Sequence, residues 1–130
     1  MRKGSFITSI DLAKAAAAAI DDMKGLDITI IDVSNLLFIT DMFVIATGTS
    51  NRQVRSIADE VHTQLKEKHQ RMSLRSEGVD EAEWILLDYG EIVVHVFQAA
   101  TRAFYDLERL WGDAPRILFE PATQGSSDQL

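Results

Sequence analysis

The chain has no cysteine, which removes disulfide scaffolds, thiolate metal sites and thiol catalysis together and suits a reducing compartment. Basic residues are in deficit: 13 Lys and Arg stand against 20 Asp and Glu, a net charge of −7. Nucleic-acid binding needs surplus cations to neutralise phosphates, so this balance counts against direct nucleic-acid readout and suits a basic protein partner. No apolar run approaches the roughly 20 residues of a membrane span. Arg2 and Lys3 precede the alanine run Ala15 to Ala19, but Asp11 and Lys14 interrupt what would be the apolar core of a signal peptide. The expectation is a soluble, untargeted, cytoplasmic protein.

Nucleotide-handling signatures are missing too. Gly48-Thr49-Ser50-Asn51-Arg52 lies where a strand should turn into a helix, and free N–H groups at a helix start can hold a phosphate. The stretch lacks the glycine spacing of a dinucleotide fingerprint and the lysine of a phosphate loop. A capped helix after a tight turn is the plainer account. Nucleotidyl transfer also needs carboxylates spaced to hold Mg²⁺. No Asp-x-Asp pair follows, and Glu81-Ala82-Glu83 has no third ligand. His62, His69 and His95 do not form a ligand set, so neither a metal nor a cofactor is expected.

What is present suffices for one domain. With 130 residues and 46% hydrophobic content, the chain can bury a single core. Thr8 or Ser9 caps a helix to about Met23, with Leu12, Ala16, Ala19 and Met23 on one stripe. Asp27 to Val33 alternates as a strand. Met42 to Gly48 is apolar on both faces up to Thr47, as a central strand should be. A long helix follows, with Val54, Ile57, Ala58, Val61 and Leu65 inward and Ser50 or Asn51 as cap. Arg71 to Gly78 is a weak strand or loop. After a hairpin, Thr101 to Trp111 should be helical with Phe104, Leu107 and Leu110 or Trp111 inward, and Arg116 to Phe119 a short strand. Residues 1–119 are expected to form the domain, and 120–130, small and polar, a disordered tail. Two strands without an intervening helix plus a later hairpin require a mixed sheet: a compact α/β domain with helices on at least one face.

The hairpin Glu83 to Phe97 carries the functional question. A two-residue turn at Tyr89-Gly90 would set Asp88 opposite Glu91, Leu86 opposite Val93 and Trp84 opposite His95. One face is then aliphatic, with Ile85, Leu87, Ile92, Val94 and Val96. The other mixes Trp84, Leu86, Asp88, Glu91, Val93, His95 and Phe97. His95 near Asp88 suggests a dyad, but no nucleophile is local to it. Trp84, Tyr89 and Phe97 beside Asp88 and Glu91 would suit a basic, partly apolar partner. Burial of this face under helices is the equal alternative.

Four blocks in order, Asp41 to Val61, Glu77-Gly78, Trp84 to Phe97 and Arg102 to Trp111, resemble the ribosomal silencing factor family, also called Iojap-like. Met42 stands where the family often has an aromatic, and Glu91 where Asp is usual. The resemblance implies a nucleotidyltransferase-like fold without the catalytic carboxylates, and a factor that is not an enzyme. It implies binding to the large ribosomal subunit through ribosomal protein number fourteen, obstruction of small-subunit joining, a part in large-subunit maturation, and a homodimeric state. Carried onto this chain, the docking surface would comprise Trp84, Asp88, Tyr89, Gly90, Glu91, His95 and Phe97. The rival class is a nucleotide-binding or nucleotidyltransferase-related protein.

Overall fold

The computed structural model describes residues 7–122. Its elements run α1 (Ser9–Asp22), β1 (Leu26–Asp32), β2 (Met42–Gly48), α2 (Asn51–His69), β3 (Arg75–Glu77), β4 (Trp84–Asp88), β5 (Ile92–Gln98), α3 (Ala99–Tyr105), α4 (Leu107–Leu110) and β6 (Arg116–Ile117). The six strands form one sheet in the order β3-β4-β5-β2-β1-β6. Only β2 and β5 pair in parallel, with Val44 beside Val94 and Thr47 beside Phe97; every other pairing is antiparallel. The mixed α/β domain expected from the strand order is the one observed.

Helices α1 and α2 cover one face of the sheet. Thr8 caps α1 by accepting from the Asp11 N–H at 3.0 Å, which satisfies a donor that the first turn leaves free. Ala13, Ala16, Ala17 and Ala19 are wholly buried, and their small side chains let α1 approach its neighbours closely. The stripe Val54, Ile57, Val61 and Leu65 of α2 is buried as its spacing requires. These meet Val44, Ala46, Ile85, Val94 and Val96 in the larger core.

The second face has a smaller core of Ile31, Val33, Ile45, Phe97 and Ala114, flanked by Leu37, Phe43, Trp84, Leu107 and Trp111. Its cover is the segment expected to be one helix from Thr101 to Trp111. That helix is broken at Asp106, which adopts φ +50°, so the helical phase is lost after Tyr105. Leu107 packs inward, and of Leu110 and Trp111 it is Trp111 that does so, leaving Leu110 68% exposed; Phe104 (80% exposed) faces outward, against expectation. The last strand is shorter than expected, and Phe119 leaves it to pack against the larger core. Of the expected tail, residues 123–130 lie outside the described residues, while the Ala122 N–H donates to Asp21 Oδ2 at 3.0 Å.

The hairpin register differs from expectation by two residues. Trp84 pairs with Phe97, Leu86 with His95 and Asp88 with Val93. The turn is Gly90-Glu91, closed by the Tyr89 N–H donating to the Ile92 carbonyl at 2.9 Å. Gly90 has φ +91°, and a two-residue hairpin accepts glycine at its first central position for that reason. An even shift preserves side-chain parity, so both faces keep their expected members. Tyr89 alone changes its surroundings: it joins the aliphatic face and is buried in the larger core.

Gly78 has φ +82°, and a Cβ placed there would lie 2.0 Å from the Trp84 carbonyl oxygen. Gly78→Ala should therefore lower the unfolding free energy by more than about 1 kcal/mol, measured by urea denaturation. An unchanged midpoint would show that the loop from Gly78 to Ala82 relaxes freely.

Candidate functional site

The hairpin divides the expected docking residues into three environments. Trp84, His95 and Phe97 form one cluster on the second face. Trp84 stacks on its pair partner Phe97 with ring centroids 4.8 Å apart, and Tyr105 of α3 closes over it at 4.7 Å. The Trp84 Nε1–H donates to His95 Nδ1 at 3.1 Å. An accepting Nδ1 assigns the proton of the neutral ring to Nε2. His95 Nε2 is buried and finds no hydrogen-bond partner among the described residues, and the Phe43 ring stands edge-on at 4.8 Å. Burial pushes the His95 pKa down to about 4, because an imidazolium there would lose its hydration.

Asp88, Gly90 and Glu91 form the second group, at the hairpin tip, and each is half-buried. Asp88 Oδ1 accepts from the Gly90 N–H at 2.9 Å, and its other oxygen lies 3.3 Å from Arg75 Nε. Glu91 pairs with Arg71. Asp88 is thus engaged with the turn and β3, and the His95–Asp88 dyad does not form.

Tyr89 stands apart in the larger core, where burial raises its pKa to about 12 and leaves its hydroxyl without a partner among the described residues. Three of the seven expected surface residues, Tyr89, His95 and Phe97, are therefore buried. The two-residue shift moves Tyr89, while Phe43 and Trp84 pack against His95 and Trp84 against Phe97.

Arg102 is the residue that sequence reasoning missed. Its guanidinium reaches across α3 to Thr47 Oγ1 at 2.8 Å and Thr29 Oγ1 at 3.4 Å, and it pairs with Glu108 through Nε at 3.0 Å and through NH2. Burial pushes the Glu108 carboxyl up, yet hydrogen bonding and charge from Arg102 outweigh it and hold the group below its ordinary range. The clamp fixes α3 and α4 to the middle of the sheet. A spacing of six residues matches no helical repeat; only the break at Asp106 brings the pair together, so periodicity gave no signal.

The stretch Gly48 to Arg52 is a helix cap. Ser50 accepts from the Gln53 N–H at 3.1 Å, and Gln53 Oε1 accepts from the Thr49 N–H at 2.6 Å. Two of the backbone donors there are thus engaged by the chain's own side chains. Among the described residues no group of three or more His, Asp or Glu is arranged to hold a metal ion. No helix among them is long and apolar enough to cross a membrane.

A family model described as "Ribosomal silencing factor during starvation" matches residues 7–129. The ribosomal silencing factor RsfS of Bacillus subtilis (strain 168) is 44% identical over 104 residues, covering 80% of this chain and 87% of that protein. The protein of the same name from Halalkalibacterium halodurans is 39% identical over 110 residues, covering 85% and 93%. A crystal structure of a Chromobacterium violaceum protein superposes with a TM-score of 0.79 at 39% identity, covering 89% of this chain and 97% of that one.

Two outcomes test the Trp84–His95 pair. Unfolded His95 titrates near 6.5 and folded His95 near 4, so folding favours the neutral ring. Its contribution is complete above pH 6.5 and falls as pH drops toward 4, by about 3 kcal/mol in all. Urea denaturation between pH 7 and 4 should show this slope in wild type and a shallower one in His95→Gln; equal slopes would refute the assignment. Trp84→Phe keeps a stacked ring but strands Nδ1, and should cost about 1–3 kcal/mol at pH 7.

Proposed function

The chain belongs to the ribosomal silencing factor family, and from that premise we propose that it regulates translation by binding the large ribosomal subunit. In this reading it docks on ribosomal protein number fourteen and occupies space that the small subunit needs in order to join. The observation that carries the site is the hairpin tip: Asp88, Gly90 and Glu91 stand together and half-exposed, in a segment that matches the family block.

The mechanism requires no turnover. A bound factor and a joined small subunit exclude each other, so the outcome follows their concentrations and affinities. A net charge of −7 favours encounter with a basic protein surface and speeds association. The half-exposed edge of Trp84, together with Leu86 and Val93, supplies apolar contact beside the acidic groups. Trp84 also packs the second core and holds His95. Its truncation would thus mix lost docking with lost stability, and binding is better tested at the tip.

Asp88→Asn with Glu91→Gln removes two charges and keeps the side-chain shapes, including the acceptor that holds the Gly90 N–H. Purified protein is sedimented with isolated large subunits, isolated small subunits and joined ribosomes. Wild type should pellet with large subunits alone, and the double variant should bind about tenfold more weakly, equivalent to about 1.4 kcal/mol. Light scattering of subunit joining should show inhibition by wild type and less by the variant. Wild type that pellets with no particle, or leaves joining unchanged, refutes the reading.

A further inference from the structure

Burial of Tyr89 and Phe97 leaves the docking surface short of anchors, because interface cores draw on large apolar side chains that desolvate fully. Large exposed apolar side chains occur on the loop between β1 and β2, whose end is hydrogen-bonded to the tip. Phe38 is 107% exposed and Ile39 84%, while their neighbour Leu37 is partly buried against the second core. A lone exposed hydrophobe needs no explanation, but adjacent ones on a loop whose next residue is anchored mark a presented surface.

The loop is continuous with the hairpin tip. The Glu91 carbonyl accepts from the Asp41 N–H at 2.9 Å and from the Met42 N–H at 3.1 Å. The loop's end and the tip are therefore one structural unit. On the tip's other side, Leu74 is 73% exposed, and a Cβ on Gly90 would lie 3.6 Å from its Cδ1.

Charge identifies the partner. Asp32 and Asp41 bracket the loop, Glu91 sits across from it, and Asp113 lies two residues before Pro115, whose carbonyl accepts from the Asp32 N–H at 2.8 Å. Asp32 is held by Ser34, and Asp41 by Ser9 Oγ at 2.6 Å. Among the described residues neither these two nor Asp113 forms an ion pair. Among the described residues the cations near this rim are Arg71, paired with Glu91, and Arg116, which donates to the Ala114 and Glu108 carbonyls, so the carboxylates outnumber them. An acidic rim repels phosphate, which disfavours RNA. It also sets like charges against each other when two copies face through it.

We infer that Phe38 and Ile39 are the apolar anchors of the docking surface, entering a recess on a basic protein partner while Asp32, Asp41 and Asp113 meet its lysines and arginines. This rests on the ribosome-docking reading and extends its contact from the hairpin tip to the β1–β2 loop.

The test is a Phe38→Ser, Ile39→Ser double variant in the same sedimentation with isolated large subunits, with urea denaturation and light scattering of the free protein alongside. Both side chains are exposed, so the unfolding midpoint should hold, whereas Leu37→Ala should lower it. The double variant is expected to bind about thirtyfold more weakly than wild type. Binding as tight as wild type overturns the inference and leaves the docking reading standing. Failure of wild type itself to bind removes both. A wild-type dimer that becomes a monomer in the double variant assigns the patch to a second copy and also overturns the inference.

Discussion

Parallel pairing of β2 with β5 places apolar side chains on both sides of the sheet's centre, and the remaining architecture answers that demand. Val44, Ala46, Val94 and Val96 face one way; Ile45 and Phe97, with His95, face the other. Two buried faces need two covers. Helices of 14 and 19 residues supply the first cover. The second is made of helices of only seven and four residues, too short to shield a whole face. Arg102 fastens them over Thr47 and Thr29 of the adjacent strands β2 and β1. Leu86, Asp88 and Val93 stay half-exposed beyond their reach. The open part of the molecule is thus what a partial cover leaves behind, and that part adjoins the hairpin tip.

Most of the fold was legible because its signals are local or periodic. The α2 stripe, the two-faced apolar run of β2 and the alternation of the hairpin each follow from a repeat of 3.6 or 2. The hairpin faces survived an error in register, since a shift of two residues leaves parity intact. What the alternation could not say was which pair of residues makes the turn. That depended on Gly90 taking the position that needs a positive φ, and it moved Tyr89 from the expected surface into the core. The break at Asp106 was equally hidden, because an aspartate with φ +50° has no marker in the sequence. With it went the orientation of Phe104.

The site was legible in part. The residues flagged on the mixed face do gather, but as two groups with different work. Trp84, His95 and Phe97 build the second core, where a neutral imidazole accepts an indole N–H. Asp88, Gly90 and Glu91 shape the tip. Composition alone left open whether this face is covered or exposed, and the sheet answers with a boundary running between the two groups. Phe38 and Ile39, the side chains inferred to anchor a partner, lie on a loop and carry no periodic signal.

The hydrogen bond from Ala122 to Asp21 fixes the position of the last described residue. Asp21 belongs to α1, on the helical layer, so the backbone at Ala122 stands on that side of the sheet, away from the half-exposed residues Leu86, Asp88 and Val93. A fluorophore or affinity handle attached at Ala122 itself would stand on the α1 side. A sample immobilised through that position would turn the opposite face of the sheet, with Leu86, Asp88 and Val93, toward solution.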